Sequence, residues 1–470
     1  MDLREFAERI YHNLPYEPTD QQIQLIAALA RFCSTEQPSD SVFLLNGYAG
    51  TGKTSLTGAL VRALREAEIP VVLMAPTGRA AKVFGSFARF PCTTIHRRIY
   101  RGQPGELFHF SGLVADNPLQ DAVFIVDEAS MIGNEAGESR GSLLEDLVHY
   151  VYSGINCRLI LLGDTAQLPP VGSTLSPAMN PDVLRSMGLR VTRAVLTATV
   201  RQKAESGILY NATRLRRLML RDPLPEPSLR VSGFDDVRTV GGEELSDDIA
   251  ADYSALGQDN VILVTRSNRR AMQFNLAIRS MILDLDEELC VGERLLVAKN
   301  NYLWSAKVKG LDFIANGDVA TVSKIYGTEE KYGFRFADVT LTLPDYDVDV
   351  DCKILLDTLT SDVASLSQQR YGELFEAIVN DPDLFTPSTP LNARMKIMRR
   401  DPYFNALQVK YAYAVTCHKA QGGQWTDVYI DMGSIVPEAV TALDFYRWLY
   451  TALTRATGKA AFVNPSLKIV

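Results

Sequence analysis

The apolar run Val42-Phe43-Leu44-Leu45 leads into Gly47-Tyr48-Ala49-Gly50-Thr51-Gly52-Lys53-Thr54, and a helix-compatible segment follows to about Glu66. This stretch constrains the fold more than any other. Its glycines permit a tight turn with positive φ, so that successive backbone N–H groups face inward, and the N-terminus of the next helix adds partial positive charge. The result is a cradle for the β- and γ-phosphates of a nucleotide, built from Gly47, Ala49, Gly50, Thr51 and Gly52. Lys53 is placed to pair with the β/γ oxygens, and the Thr54 hydroxyl to complete a Mg²⁺ shell. ATP and Mg²⁺ are the expected cofactors.

The chain has 470 residues, of which 46% are hydrophobic, and a formal net charge of -8. That length allows about two to four domains. The negative total gives no overall attraction to nucleic acid, so any such site must be a local basic groove on an acidic body. The cysteines, Cys33, Cys92, Cys157, Cys290, Cys352 and Cys417, are scattered without a C-x-x-C pair, which fits reduced thiols and no zinc or iron–sulfur module. The first residues, Met1-Asp2-Leu3-Arg4-Glu5-Phe6, carry acids and no long apolar core, and no later stretch is long enough to span a bilayer. The expectation is a cytoplasmic protein with no membrane partner.

Upstream of the phosphate loop, Thr19 or Asp20 caps a helical pattern with Ile23, Leu25, Ile26, Leu29 and Ala30 on one face. Gln22, just inside that helix, is either an exposed helix residue or a reader of adenine N6 and N7, for which its amide has the donor and acceptor. Downstream, Val71-Val72-Leu73-Met74-Ala75 ends in Pro76-Thr77-Gly78-Arg79-Ala80-Ala81-Lys82, and Thr93-Thr94-Ile95-His96-Arg97 follows. Both read as loops at the carboxyl ends of parallel strands, where open α/β sheets bind ligands. Thr77, Arg79, Thr94, His96 and Arg97 suit the phosphates of a nucleic-acid strand laid across the sheet, with helix capping an additional role for Thr77. Residues 98–120, including Phe108, His109 and Phe110, interrupt this rhythm as either a base-stacking hairpin or an ordinary surface loop. The run Ala122-Val123-Phe124-Ile125-Val126 then delivers Asp127 and Glu128, a carboxylate for the Mg²⁺ shell and one to polarise the attacking water. A last strand, residues 158–162, delivers Gly163-Asp164-Thr165-Ala166-Gln167-Leu168-Pro169-Pro170-Val171, with Gln167 placed to bond a γ-phosphate or its water.

Taken together, the phosphate loop and the segments 75–82, 94–97, 127–130 and 163–171 resemble the ordered motifs of superfamily 1 helicases, in particular the RecD/Dda-like branch. The resemblance implies an α/β fold of two RecA-like domains with parallel sheets and ATP between them, plus a small SH3-like barrel inserted in the second. It also implies roles for later residues. Arg201, in Thr199-Val200-Arg201-Gln202, matches an arginine set on the γ-phosphate, and Arg455, in Tyr450-Thr451-Ala452-Leu453-Thr454-Arg455, matches a second arginine finger. Asn268, at the end of the strand pattern 261–268, and Thr416, His418 and Lys419 would face DNA, while Gly422 would approach the nucleotide. Pro18 and Ala420 depart from the family pattern, where leucine and serine are commoner.

The expected layout is a first motor domain at 1–190 with a pin-like insertion near 98–120, a second domain at 191–300 completed by 409–470, and an insertion at 301–408. Within that insertion, alternating patterns near 319–322 and 339–343 suggest short strands. Asp345, Asp347, Asp349 and Asp351 read as one acidic strand face, and Arg394, Lys396, Arg399 and Arg400 as a solvated face or a DNA contact. The implied activity is ATP-driven 5′-to-3′ movement on single-stranded DNA, acting at junctions of single- and double-stranded DNA, by a chain functional as a monomer with repair or replication partners. Two alternatives stand beside it, an RNA-directed motor of the same superfamily and a RecD-like nucleotide-gated subunit of a larger nuclease or repair complex.

Overall fold

The computed structural model describes residues 2–34, 38–102, 110–134, 141–198, 205–309, 311, 313–386, 388–433, 442–465 and 467–469. The chain divides into two compact units. One comprises Met1–Arg101, Phe110–Val240 and Ala420–Val470, and the other Gly102–His109 and Gly241–Lys419.

The first unit is built on a six-stranded sheet, in the order Cys92–Thr94, Val71–Ala75, Val123–Val126, Arg158–Gly163, Ser41–Gly47, Arg190–Leu196. Every neighbouring pair is parallel. Helices cover both faces, which is why the central strands read as unbroken apolar runs. Alternate side chains serve opposite cores. Phe43, Leu45, Ile125 and Leu162 pack under the helices Asp20–Phe32 and Lys53–Glu66, whereas Val42, Leu44, Phe124 and Leu161 pack with Leu144, Leu147 and Val151 of the helix Leu143–Ser153. This is the parallel α/β sheet expected of a RecA-like domain. The same unit holds the parallel strands Val237–Val240, Ala456–Val463 and Trp425–Asp431. Residues 191–240 and 420–470, expected in a second domain, thus fall in the same compact unit as the phosphate loop.

The second unit contains the parallel strands Val261–Thr265 and Ala414–Thr416 with the helix Asn268–Met281, and a closed five-stranded barrel. The barrel strands are Arg294–Val297, Val319–Lys331, Phe334–Leu343, Val348–Leu355 and Leu407–Tyr411, so it begins and ends outside 301–408. Helices Gln368–Val379 and Leu391–Met398 pack on it through Leu374, Ile378 and Met398 against Phe334 and Phe336. Two expectations change here. Asp345 and Asp347 lie in a turn, while Asp349 and Asp351 lie on the strand and accept hydrogen bonds from Thr342 and Thr340, both at 2.6 Å. The four acids therefore do not form one strand face. Arg394 is committed too: its guanidinium donates to the carbonyls of Thr389, Val379 and Thr386 at 2.9–3.0 Å and closes the loop between the two helices.

The helix Asn268–Met281 is anchored by a buried ion pair. Arg279 donates to the Glu293 carboxylate at 2.9–3.0 Å, and the Tyr413 hydroxyl donates to it at 2.9 Å; Glu293 is fully buried. Breaking such a pair leaves a charge without compensation. Arg279→Met should therefore lower the unfolding free energy by about 3–5 kcal/mol in urea titrations, far more than an exposed substitution would.

Candidate nucleotide cleft

The phosphate loop joins the strand Ser41–Gly47 to the helix Lys53–Glu66. Gly50 and Gly52 take φ of +74° and +75°, the left-handed region that glycine enters without strain. A Cβ on Gly50 would also lie 2.7 Å from Leu209 Cδ2, so a substitution there would need the Leu209 side chain to move. The loop lines a cleft of about 660 Å³, whose walls also carry Glu128, Asp164, Gln167 and Arg455.

The charged side chains at the base of the cleft are largely buried. Lys53 Nζ lies 3.6 Å from Asp127 Oδ1. Burial alone would lower the lysine pKa, but Asp127, Glu128 and Asp164 outweigh it and hold the ammonium charged. Burial pushes the Asp127 carboxyl above its ordinary range, and Lys53 opposes that shift. Glu128 sits at φ +53°, a left-handed conformation rare for a residue with a side chain, and its N–H donates to Asp127 Oδ1 at 2.9 Å. Its Oε2 is buried without a hydrogen-bond partner, and so is Gln167 Oε1. A group that arrives with donors would satisfy both acceptors.

A second layer holds these groups in place. The Tyr450 hydroxyl donates to Asp164 Oδ2 at 2.6 Å and accepts from the Ala49 N–H at 2.9 Å. Burial, followed by the neighbouring Asp164, pushes the tyrosine pKa well up, so the hydroxyl keeps its proton; burial likewise raises Asp164. Thr451 Oγ1 accepts from Leu168 N at 2.8 Å, and Gln421 Nε2 donates to Leu168 O at 2.7 Å. Asn46 exchanges two hydrogen bonds with Thr165. Sequence reasoning passed over Asp164 and Tyr450. An acid directly after a fully buried strand and a tyrosine on a wholly apolar helix face were the available signals.

Gln22 is 1% exposed, which rules out an exposed helix residue; its Nε2 donates to Thr51 O at 3.0 Å and the Tyr16 hydroxyl at 3.2 Å, and its Oε1 accepts from Thr19 N at 3.0 Å. Arg455 is buried, with its guanidinium donating to Thr451 O at 3.1 Å and Gly423 O at 3.3 Å. Gly422 has φ +73° and faces Ala80 and Thr77. Arg201 lies outside the described residues, as do Phe108 and His109.

Thr77 and Thr94 each cap a helix, accepting from Ala80 N and Arg97 N at 3.2 Å. Arg79 stacks on Trp425, 3.9 Å from the ring centroid, and donates to Gln424 O, so it is spent on packing as well as charge. Burial lowers the His96 pKa against the pull of Asp146, and Arg97 is exposed. In the second unit Asn268, Thr416 and Lys419 line one shallow pocket with Lys410, a residue the sequence did not single out. Burial lowers the pKa of both lysines to about 8, and Lys419 bonds Asn316. His418 is exposed nearby in sequence. Among the described residues no cluster of three or more His, Cys, Asp or Glu is arranged to hold a metal ion, and no helix is long and apolar enough to cross a membrane.

Residues 19–217 match the AAA domain family, and residues 411–463 match the UvrD-like helicase C-terminal domain. Over 169 residues the chain is 32% identical to the ATP-dependent RecD2 DNA helicase of Deinococcus radiodurans, a match covering 36% of this chain and 21% of that protein. An uncharacterized protein of Acanthamoeba polyphaga mimivirus is 20% identical over 91% of this chain and 96% of its own length. Among solved structures, the Pif1 helicase from Bacteroides in complex with ADP-AlF3 and ssDNA aligns over 95% of this chain and 92% of its own, with a TM-score of 0.46 and 14% identity.

The Tyr450 hydroxyl is the joint between phosphate loop and helix Leu443–Leu453. Tyr450→Phe strands the Ala49 N–H and an Asp164 oxygen, and should lower stability by about 1–3 kcal/mol, measured by urea unfolding of the nucleotide-free protein.

Proposed function

We propose that this chain is a superfamily 1 helicase of the RecD-like branch, an ATP-dependent 5′-to-3′ DNA helicase moving on single-stranded DNA. The observation that carries the hydrolytic part of this reading is a cleft floored by the phosphate loop and lined by Lys53, Glu128, Gln167 and Arg455, with Glu128 Oε2 and Gln167 Oε1 unpartnered. Two acceptors suit a water molecule held for attack, with Glu128 taking its proton.

The remaining residues fit triphosphate and Mg²⁺. The backbone of residues 47–52 would cradle the phosphates and Lys53 would neutralise their charge, while Thr54 and Asp127 would hold Mg²⁺, which would supply charge stabilisation to the phosphoryl oxygens. Arg455 lines the same cleft as Lys53, and Arg201 is assigned the γ-phosphate by family resemblance alone. Because burial raises the Asp127 pKa, protonation on acidification should begin above the ordinary carboxylate range and weaken Mg²⁺-dependent binding there first. Thr77, Arg79, Thr94, His96 and Arg97 form one DNA-contact set, and Asn268, Thr416, His418 and Lys419 the other. The chain acts as a monomer on single-stranded DNA and at forks, in the cytoplasm, with repair or replication partners.

The test is ATP turnover with and without single-stranded DNA or RNA, and unwinding of duplexes with only a 5′ or only a 3′ tail. DNA should stimulate turnover, and only the 5′-tailed duplex should open. Glu128→Gln should keep triphosphate binding and lose about 10²–10⁴-fold in turnover. Stimulation by RNA alone would reassign the substrate, and turnover indifferent to any strand would favour a nucleotide-gated subunit of a larger complex.

A further inference from the structure

Lys410 stands on the last barrel strand, Leu407–Tyr411, and lines the same pocket as Asn268, Thr416 and Lys419. All of these residues belong to the second compact unit. Much of the remaining wall is apolar, from Ala271 and Met272 on the helix Asn268–Met281 to Leu296 and Leu359. The space is small, about 30 Å³, which admits about two water-sized groups and no base.

The bonds that Lys410 makes do not account for its charge. Its Nζ donates to Ser361 O at 2.7 Å and Thr358 O at 3.3 Å, fastening the turn that follows the strand Val348–Leu355. Both acceptors are neutral carbonyls, and they use two of the three ammonium hydrogens. Lys419 bonds the side-chain oxygen of Asn316, again a neutral acceptor. Among the described residues neither ammonium has a carboxylate as a hydrogen-bond partner. The charged groups that act on Lys410 are Asp362, which favours its ammonium, and Lys419, which opposes it; burial is the larger effect and lowers its pKa to about 8. Burial brings Lys419 to about 8 as well. Tyr411, the other titratable side chain on the wall, is pushed up by burial and keeps its proton.

Two lysines thus share one small pocket, each half-buried and neither hydrogen-bonded to a counter-charge. An anion bound there would complete both, and its size is limited to a few oxygen atoms. The non-bridging oxygens of a phosphodiester meet that limit, and ammonium groups are ordinary partners for them. We propose that Lys410 is a further phosphate-contacting residue, and that with Lys419 it seats one backbone phosphate of the single strand in this pocket. This rests on the reading of Asn268, Thr416, His418 and Lys419 as strand contacts. A contact to the backbone alone carries no base preference.

Fluorescence-anisotropy titration of the full chain with labelled oligo(dT), over a range of salt concentrations, tests it. Lys410→Met should weaken binding by about tenfold at low salt, the value of one charge-assisted hydrogen bond. It should also make log K fall less steeply with log salt, by about 0.7, the share of one phosphate contact to a single strand. Lys468→Met removes an exposed lysine of the first unit and should change neither quantity. A misfolded fraction lowers the amount that binds and leaves the salt slope of the rest unchanged, so the slope separates phosphate contact from fastening of the turn. Because phosphate binds the ammonium form, native affinity should be full below about pH 8 and fall as pH rises through that value, with protons taken up on binding. Lys410→Arg, whose guanidinium stays charged, should keep the native salt slope and take up fewer protons, read from the dependence of calorimetric enthalpy on buffer. A native salt slope in Lys410→Met, or the same proton uptake in Lys410→Arg as in the native chain, would overturn the proposal. Absence of oligo(dT) binding by the native chain would remove the strand-contact reading itself.

Discussion

The nucleotide cleft depends on one buried acid. Asp164 directly follows the strand Arg158–Gly163, is 1% exposed, and accepts a hydrogen bond from the Tyr450 hydroxyl, which in turn accepts one from the Ala49 N–H. An unpaired carboxylate at that depth would be costly, so the tyrosine must stay. Holding the tyrosine fixes the end of the helix Leu443–Leu453, and five residues on stands Arg455, bonded to Thr451 O. Strand, phosphate loop and arginine are thereby linked by hydrogen bonds with little slack. Thr451 and Gln421 reinforce the link by satisfying both backbone groups of Leu168. Gln167, one residue earlier, is thus fixed in place with its Oε1 unpartnered.

Such an arrangement leaves two acceptors, Glu128 Oε2 and Gln167 Oε1, unsatisfied on residues that line the cleft while the groups supporting them are bonded. Around the cleft the amides of Gln21 and Gln22 and the hydroxyls of Tyr450 and Thr451 are all engaged. Lys53, Glu128 and Gln167 keep bonding capacity that their surroundings do not meet. Where the side chains are largely buried, the attraction between these groups and a phosphate is much stronger than in water. The left-handed backbone at Glu128 belongs with this, since strained geometry persists where the surrounding structure fixes it for a purpose.

Much of this was legible in the sequence, and the exceptions have physical causes. Strands buried on both faces write themselves as apolar runs, so 42–45, 71–75, 122–126 and 158–162 announced a parallel sheet, and glycine spacing announced the phosphate loop. The partnership of Asp164 with Tyr450 spans 286 residues and leaves no local pattern. The fate of Gln22 was half legible: Thr19 three residues earlier signals a capping box, but the Thr51 carbonyl that claims its amide is brought near only by the fold. Arg394 looked like surface charge because nothing local shows that Val379 and Thr386 turn their carbonyls toward it. Among the acids, Pro344 and the left-handed Asp347 break the alternation that the spacing of Asp345 to Asp351 implied.

The central claim is that nucleotide turnover in this cleft drives directed movement along a DNA strand. Stopped-flow translocation on single-stranded DNA of increasing length, with a fluorophore on either the 5′ or the 3′ end, tests it most directly. With ATP and Mg²⁺, arrival at the 3′ label should be delayed in proportion to strand length, while the 5′ label should show only dissociation. A length-dependent delay at the 5′ end, or no length dependence at either end despite ATP turnover, would contradict the account.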